Sequence, residues 1–158
     1  MPAFYTSEAE ISLLVHSFAA RTLAKEKWTH AAHITAALWH LKNYPFDDAV
    51  CGMRSKIISY NISVGTPNNA SSGYHETMTI FWMYAGLFFI NTCTGETVLN
   101  ICNAFLSSPL AERSLPFYFY KRETILSSKA RAVFVAADIK DYTDELFEKI
   151  YNRKVILG

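Results

Sequence analysis

The sequence has little of what marks several common protein classes. It carries only three cysteines, Cys51, Cys93 and Cys102, and no Cys-x-x-Cys. An odd count without paired spacing argues against a disulfide framework or a cysteine-rich zinc site, and for buried free thiols in a reducing cytoplasm. Charge of one sign is lacking too: the net charge is +1 and the basic residues are scattered, which gives no footprint for nucleic acid. The most apolar run, MTIFWMYAGLFFI, covers only residues 78–90, whereas a bilayer-spanning helix needs about 20 residues. The opening MPAFYTSEAE is acidic and broken, unlike a secretory signal. Nucleotide and hydrolase templates are missing as well, since no G-x-x-x-x-G-K-[ST], G-x-G-x-x-G or G-x-S-x-G occurs.

What is present points to a cytoplasmic globular chain without a membrane or nucleic-acid partner. Of 158 residues, 51% are apolar and 18% charged, enough apolar surface for one domain with one core. Aromatics reach 15%, which implies an aromatic core or an aromatic-walled pocket and leaves a homodimer open.

The periodicity is helical nearly throughout and predicts an all-α, single-domain bundle of six or seven helices. Ser7 and Glu10 form a capping box ahead of the stripe Ile11, Leu14, Val15 and Phe18, with the first helix ending near Leu23. Thr29 caps a second helix that runs to about Lys42 before Pro45. Asp47 caps a third, with Val50, Met53, Ile57 and either Tyr60 or Ile62 on one face. The turn-rich GTPNNASSG at 65–73 separates it from a fourth helix at about 74–91, apolar all round and therefore central. A fifth helix covers about 96–106, Ser127 or Ser128 caps another over about 129–137, and Thr143 caps the last. Residues 109–127, interrupted by Pro116, are compatible with extended or helical structure.

Chemistry-bearing residues concentrate in WTHAAH, residues 28–33, and YHET, residues 74–77. If helices two, three and four run antiparallel, the starts of two and four share one end of the bundle, joined by Arg21 from the end of helix one. His30 and His33, three residues apart, share a helix face, and His75 adds a third imidazole. Three such nitrogens, or two and the Glu76 carboxylate, suit an open zinc or iron site. The competing structural reading has Thr29 as a cap, hydrogen-bonded histidines, Glu76 as a first-turn acid, and locally bonded Thr77 and Thr79.

The combination WTHAAH, VGT and SGYHETMT, with YFYKRETILSSKAR followed by Asp138, resembles a family of small uncharacterised bacterial helical proteins, a domain of unknown function. Their pattern is an aromatic-T-H-x-x-H, a G-T loop and Y-H-E-T-x-T. The likeness covers most of residues 28–138 and implies an all-helical domain; it implies no activity, substrate or cofactor. It also directs attention to Arg131, placed either on an anion at a helix start or in a salt bridge with Glu123 or Asp138.

Three functional readings follow. In an enzyme acting on a small molecule, His33, His75 and Glu76 would be catalytic, with Glu76 as acid or base if burial raises its pKa. Zn or Fe would sit on His30, His33 and His75. Trp28, Tyr74 and Trp82 would wall the ligand, and Arg21 or Arg131 would hold an anionic group. In a binding module the same residues would hold a ligand unchanged. In a structural or oligomerising protein the histidines would be core polar residues.

Overall fold

A computed structural model describes residues 3–153, and all regular structure among them is helical. Among the described residues six helices have nine or more residues: α1 (Glu8–Ala19), α2 (His30–Asn43), α3 (Phe46–Ser63), α4 (Glu76–Thr92), α5 (Val98–Leu106) and, last of them, α9 (Asp144–Asn152). Between α5 and α9 lie three single-turn helices, α6 (Pro116–Phe119), α7 (Arg122–Ile125) and α8 (Ser128–Ala132). The count of long helices meets the expectation; the short ones fill the stretch where the sequence left extended and helical structure open.

The local reasons are capping and stripes. Ser7 accepts the Glu10 N–H, while the Glu10 carboxylate reaches back to the Thr6 N–H and hydroxyl. Thr29, Thr97, Ser127 and Thr143 cap α2, α5, α8 and α9 in the same way. Asp47 is not the cap of α3. Pro45 holds that position without a side-chain bond, its φ of −54° already set for a helical turn, and Asp47 and Asp48 lie in the first turn, favoured by the dipole. On α3 the buried stripe is Val50, Met53, Ile57 and Tyr60, with Ile62 exposed.

The core forms around α4, which packs against α2, α3, α5, α8 and α9. The α2–α4 approach is close at Gly86, where an added Cβ would come within 2.8 Å of Leu41 Cδ1. Phe81, Phe119, Tyr142 and Phe147 form an aromatic cluster that ties the C-terminal segments to this helix. Of the three cysteines only Cys102 is buried, and burial pushes its thiol up to about 12; Cys51 is exposed on α3, and Cys93, half-buried, follows the last turn of α4.

Two long-range devices shape the C-terminal part. Asp138 accepts the Lys121 N–H at 2.8 Å and the Thr124 hydroxyl at 2.7 Å, so an acid 14 residues downstream of Thr124 holds the start of α7. Buried Thr77 donates to the Val133 carbonyl and accepts the Val135 N–H. That clamp holds the chain extended after Ala132, so α8 stops five residues short of the expected 137. Thr77 therefore bonds across the fold, while Thr79 bonds locally to the His75 carbonyl. No helix among the described residues is long and apolar enough to cross a membrane.

Candidate functional site

Antiparallel α2, α3 and α4 bring the starts of α2 and α4 beside the end of α3, and a cavity of about 570 Å³ opens there. From α2 and the turn before it come Lys25, Trp28, His30, His33, Ile34 and Ala37. From α3 and the loop after it come Met53, Ile57, Tyr60, Asn61, Val64 and Thr66. Gly73, Tyr74 and His75 lead into α4, which adds Met78, Thr79, Trp82 and Met83; Arg113 completes the wall. The two histidine-bearing stretches therefore do meet.

Each imidazole is fixed by one backbone carbonyl, and the fate of its second nitrogen differs. His75 caps α4: its Nδ1 accepts the Met78 N–H at 3.2 Å, which makes Nε2 the protonated nitrogen that donates to the Ile125 carbonyl at 2.8 Å. Both nitrogens are spent, so His75 is neither a free ligand nor a free base. His30 donates Nε2–H to the Ala111 carbonyl at 2.8 Å, and His33 donates Nδ1–H to the Thr29 carbonyl at 2.8 Å. Among the described residues His30 Nδ1 and His33 Nε2 have no partner, and neither is sealed from solvent. Burial lowers the pKa of all three rings, that of His33 to about 4, although His33 keeps part of its surface open. At neutral pH they are uncharged, and the two open nitrogens are acceptors. Among the described residues, no group of three or more His, Cys, Asp and Glu is placed to hold a metal ion. His30, His33 and His75, the residues expected to hold zinc or iron, line one cavity, and each ring is bound to a backbone carbonyl.

Aromatic rings pack closely where His33 stands. Trp28 stacks on Phe18 with centroids 4.0 Å apart and lies 3.9 Å from the His33 ring. Trp82 meets His30 edge-on at 5.0 Å.

Glu76 does not have the expected environment for an acid or base. Arg54 grips it with Nε to Oε2 at 2.9 Å and Nη2 to Oε1 at 2.5 Å, and Tyr74 donates its hydroxyl to Oε2 at 2.6 Å. The guanidinium holds the carboxyl below its usual range, outweighing the upward push of burial. Glu76 is not on the cavity wall; it fastens Tyr74, which is.

Arg21 also departs from expectation. α1 ends at Ala19, Arg21 turns the chain with φ of +64°, and its exposed side chain is not on the cavity wall. Arg131 donates to the Gly73 and Tyr74 carbonyls at 3.0 and 3.2 Å. It pins the approach to α4 and pairs with neither Glu123 nor Asp138, so it holds backbone where the sequence suggested an anion or a carboxylate.

Sequence reasoning missed Lys25, Arg113, Arg54 and the thioethers Met53, Met78 and Met83. The methionines carried a signal, since Met53 belongs to the α3 stripe that faces α4. Arg113 lies in a turn and gave none. Comparison of the chain with models of known families, with curated proteins and with solved structures returns no match.

Proposed function

We propose that this domain binds a small, largely apolar molecule in the cavity between α2, α3 and α4. The observation that carries this reading is the cavity's make-up. It combines aromatic and thioether walls with a few fixed polar groups, and two imidazole acceptors are left without partners among the described residues. Ligand sites have this composition, with apolar lining for affinity and sparse polar groups for orientation. The resemblance to small bacterial helical proteins agrees with it, because Trp28, His30, His33, Thr66, Gly73, Tyr74 and His75 of its motifs all border this one space.

Binding is favoured over catalysis because Glu76 is committed to Arg54 and His75 to the backbone. A second reading rests on His33. Its Nδ1–H is oriented by a carbonyl and its Nε2 is open, the arrangement of a positioned general base. Its low pKa makes that base weak.

The test is a screen of small aromatic compounds by thermal shift and calorimetry, repeated on Ala37→Phe, which fills the cavity from α2. Hits that raise the melting temperature of the parent and lose binding in a folded Ala37→Phe are expected. Undiminished binding in that variant refutes the site. Mass spectrometry of the recovered ligand separates the readings: an unchanged ligand supports binding, and a change abolished by His33→Gln supports catalysis.

A further inference from the structure

The cavity's charge is one-sided. Its wall contains no aspartate or glutamate, yet it contains Lys25 and Arg113. Among the described residues neither cation has an ion-pair or hydrogen-bond partner; the ion pairs are Arg54–Glu76 and Lys149–Glu145. Glu26 and Glu112 adjoin them in sequence but do not reach the wall. Glu76, the nearest acid to the start of α4, is neutralised by Arg54. Within the cavity the neutral His30 and His33 present acceptors, and Trp82 and Tyr74 border it with aromatic side chains.

From this we infer that the ligand is a planar aromatic acid, its carboxylate held by Lys25 and Arg113 and a ring N–H or O–H directed to an open imidazole nitrogen. This inference rests on the ligand-binding reading above and adds the sign and shape of the ligand. An anion gains from two otherwise unpaired cations at the edge of a low-dielectric space, a cation is repelled by them, and no wall carboxylate opposes either effect. Two charges at the rim and none deep inside also match a ligand with a polar end and an apolar body.

The experiment compares three probes of one shape by calorimetry on the full chain: indole-3-acetate, indole-3-acetamide and tryptamine. The acid is expected to bind about tenfold tighter than the amide, with the amine weaker still. Lys25→Glu and Arg113→Glu, both at exposed positions and checked for an unchanged melting temperature, are expected to remove the acid's advantage over the amide. Equal affinity for acid and amide, or an acid preference that survives both reversals, overturns the inference and leaves ligand binding intact. Failure of all three probes overturns the inference, and failure of the wider aromatic screen as well overturns the binding reading itself.

Discussion

Glu76 offers the sharpest separation between a clamp and a catalyst, through the pair Glu76→Gln and Arg54→Ala. The carboxylate side chain is 13% exposed and the guanidinium 37%. Removing one partner of a charge-assisted hydrogen bond costs about 1.5–3 kcal/mol, and partial exposure of Arg54 brings the figure toward the lower end. Glu76→Gln keeps the shape and one acceptor, so about 2 kcal/mol is expected. Arg54→Ala leaves a mostly buried carboxylate with only Tyr74, for about 2–3 kcal/mol. The double variant should cost less than the sum by about 1–2 kcal/mol. Urea unfolding at pH 7, followed by tryptophan fluorescence, measures all three. The pH profile adds a second readout. Arg54 holds the folded pKa of Glu76 below the ordinary 4.5, so the unfolded chain takes up this proton first. The contribution is complete above about pH 4.5 and is lost as pH falls through the folded value. That acid loss should shrink in Arg54→Ala. Stability of Glu76→Gln within about 0.5 kcal/mol of the parent refutes the clamp. Unchanged stability with abolished turnover would restore Glu76 as an acid or base.

Three further outcomes are expected. His75→Asn keeps a cap for α4 and loses the bond to Ile125, whereas His75→Ala loses both; unfolding should rank Ala below Asn, with each bond worth about 1 kcal/mol. Equal effects would contradict the double role. Gly73 has φ of +75°, and a Cβ there would strike the Pro67 carbonyl and Asn68; Gly73→Ala should destabilise by about 1–3 kcal/mol and displace the Tyr74 wall, and an Ala variant of parental stability would refute this. His33 and His40, both lowered to about 4 by burial, are neutral when folded and protonate first when unfolded. Stability is therefore full above their ordinary value of 6.5 and declines as pH falls toward 4. His40→Leu, which removes a buried unpartnered Nε2, should flatten part of that decline at little cost at pH 7.

The helices were legible because local chemistry specified them. Thr29 and Thr143 cap where the sequence placed caps, and the α3 stripe faces the core. The shared end of α2 and α4 was also legible, since the tight turn at residues 44–45 reverses the chain into α3 and the turn-rich 65–73 returns it to α4. What escaped the sequence was long-range. The end of α8 is set by Thr77, some 56 residues earlier at Val133. Arg54 and Glu76 pair across 22 residues of sequence. Arg131 meets carbonyls on the far side of the chain, a partner with no sequence identity to read. Arg21 was misplaced for a smaller reason: α1 closes one turn early, so the residue falls in the left-handed bend.

The five histidines show why residue type alone does not assign a role. Three of them, His16, His33 and His40, donate Nδ1–H to the carbonyl four residues earlier in their own helix, a local bond available to a histidine on any helix. The first nitrogen is thus spoken for by backbone in every case, including His30 and His75 through Nε2. Function is decided by the second. In His75 it caps α4, which makes the residue architectural although it lines the cavity. In His40 it is buried against α3 without a partner, beside Gly52 and Lys56. Among the described residues it stays open on a cavity wall in His30 and His33, and that wall holds Lys25 and Arg113 and no aspartate or glutamate. His75 spends both nitrogens, on the Met78 N–H and the Ile125 carbonyl. A ligand with one donor and one anionic group demands only what His33, His30, Lys25 and Arg113 leave unsatisfied.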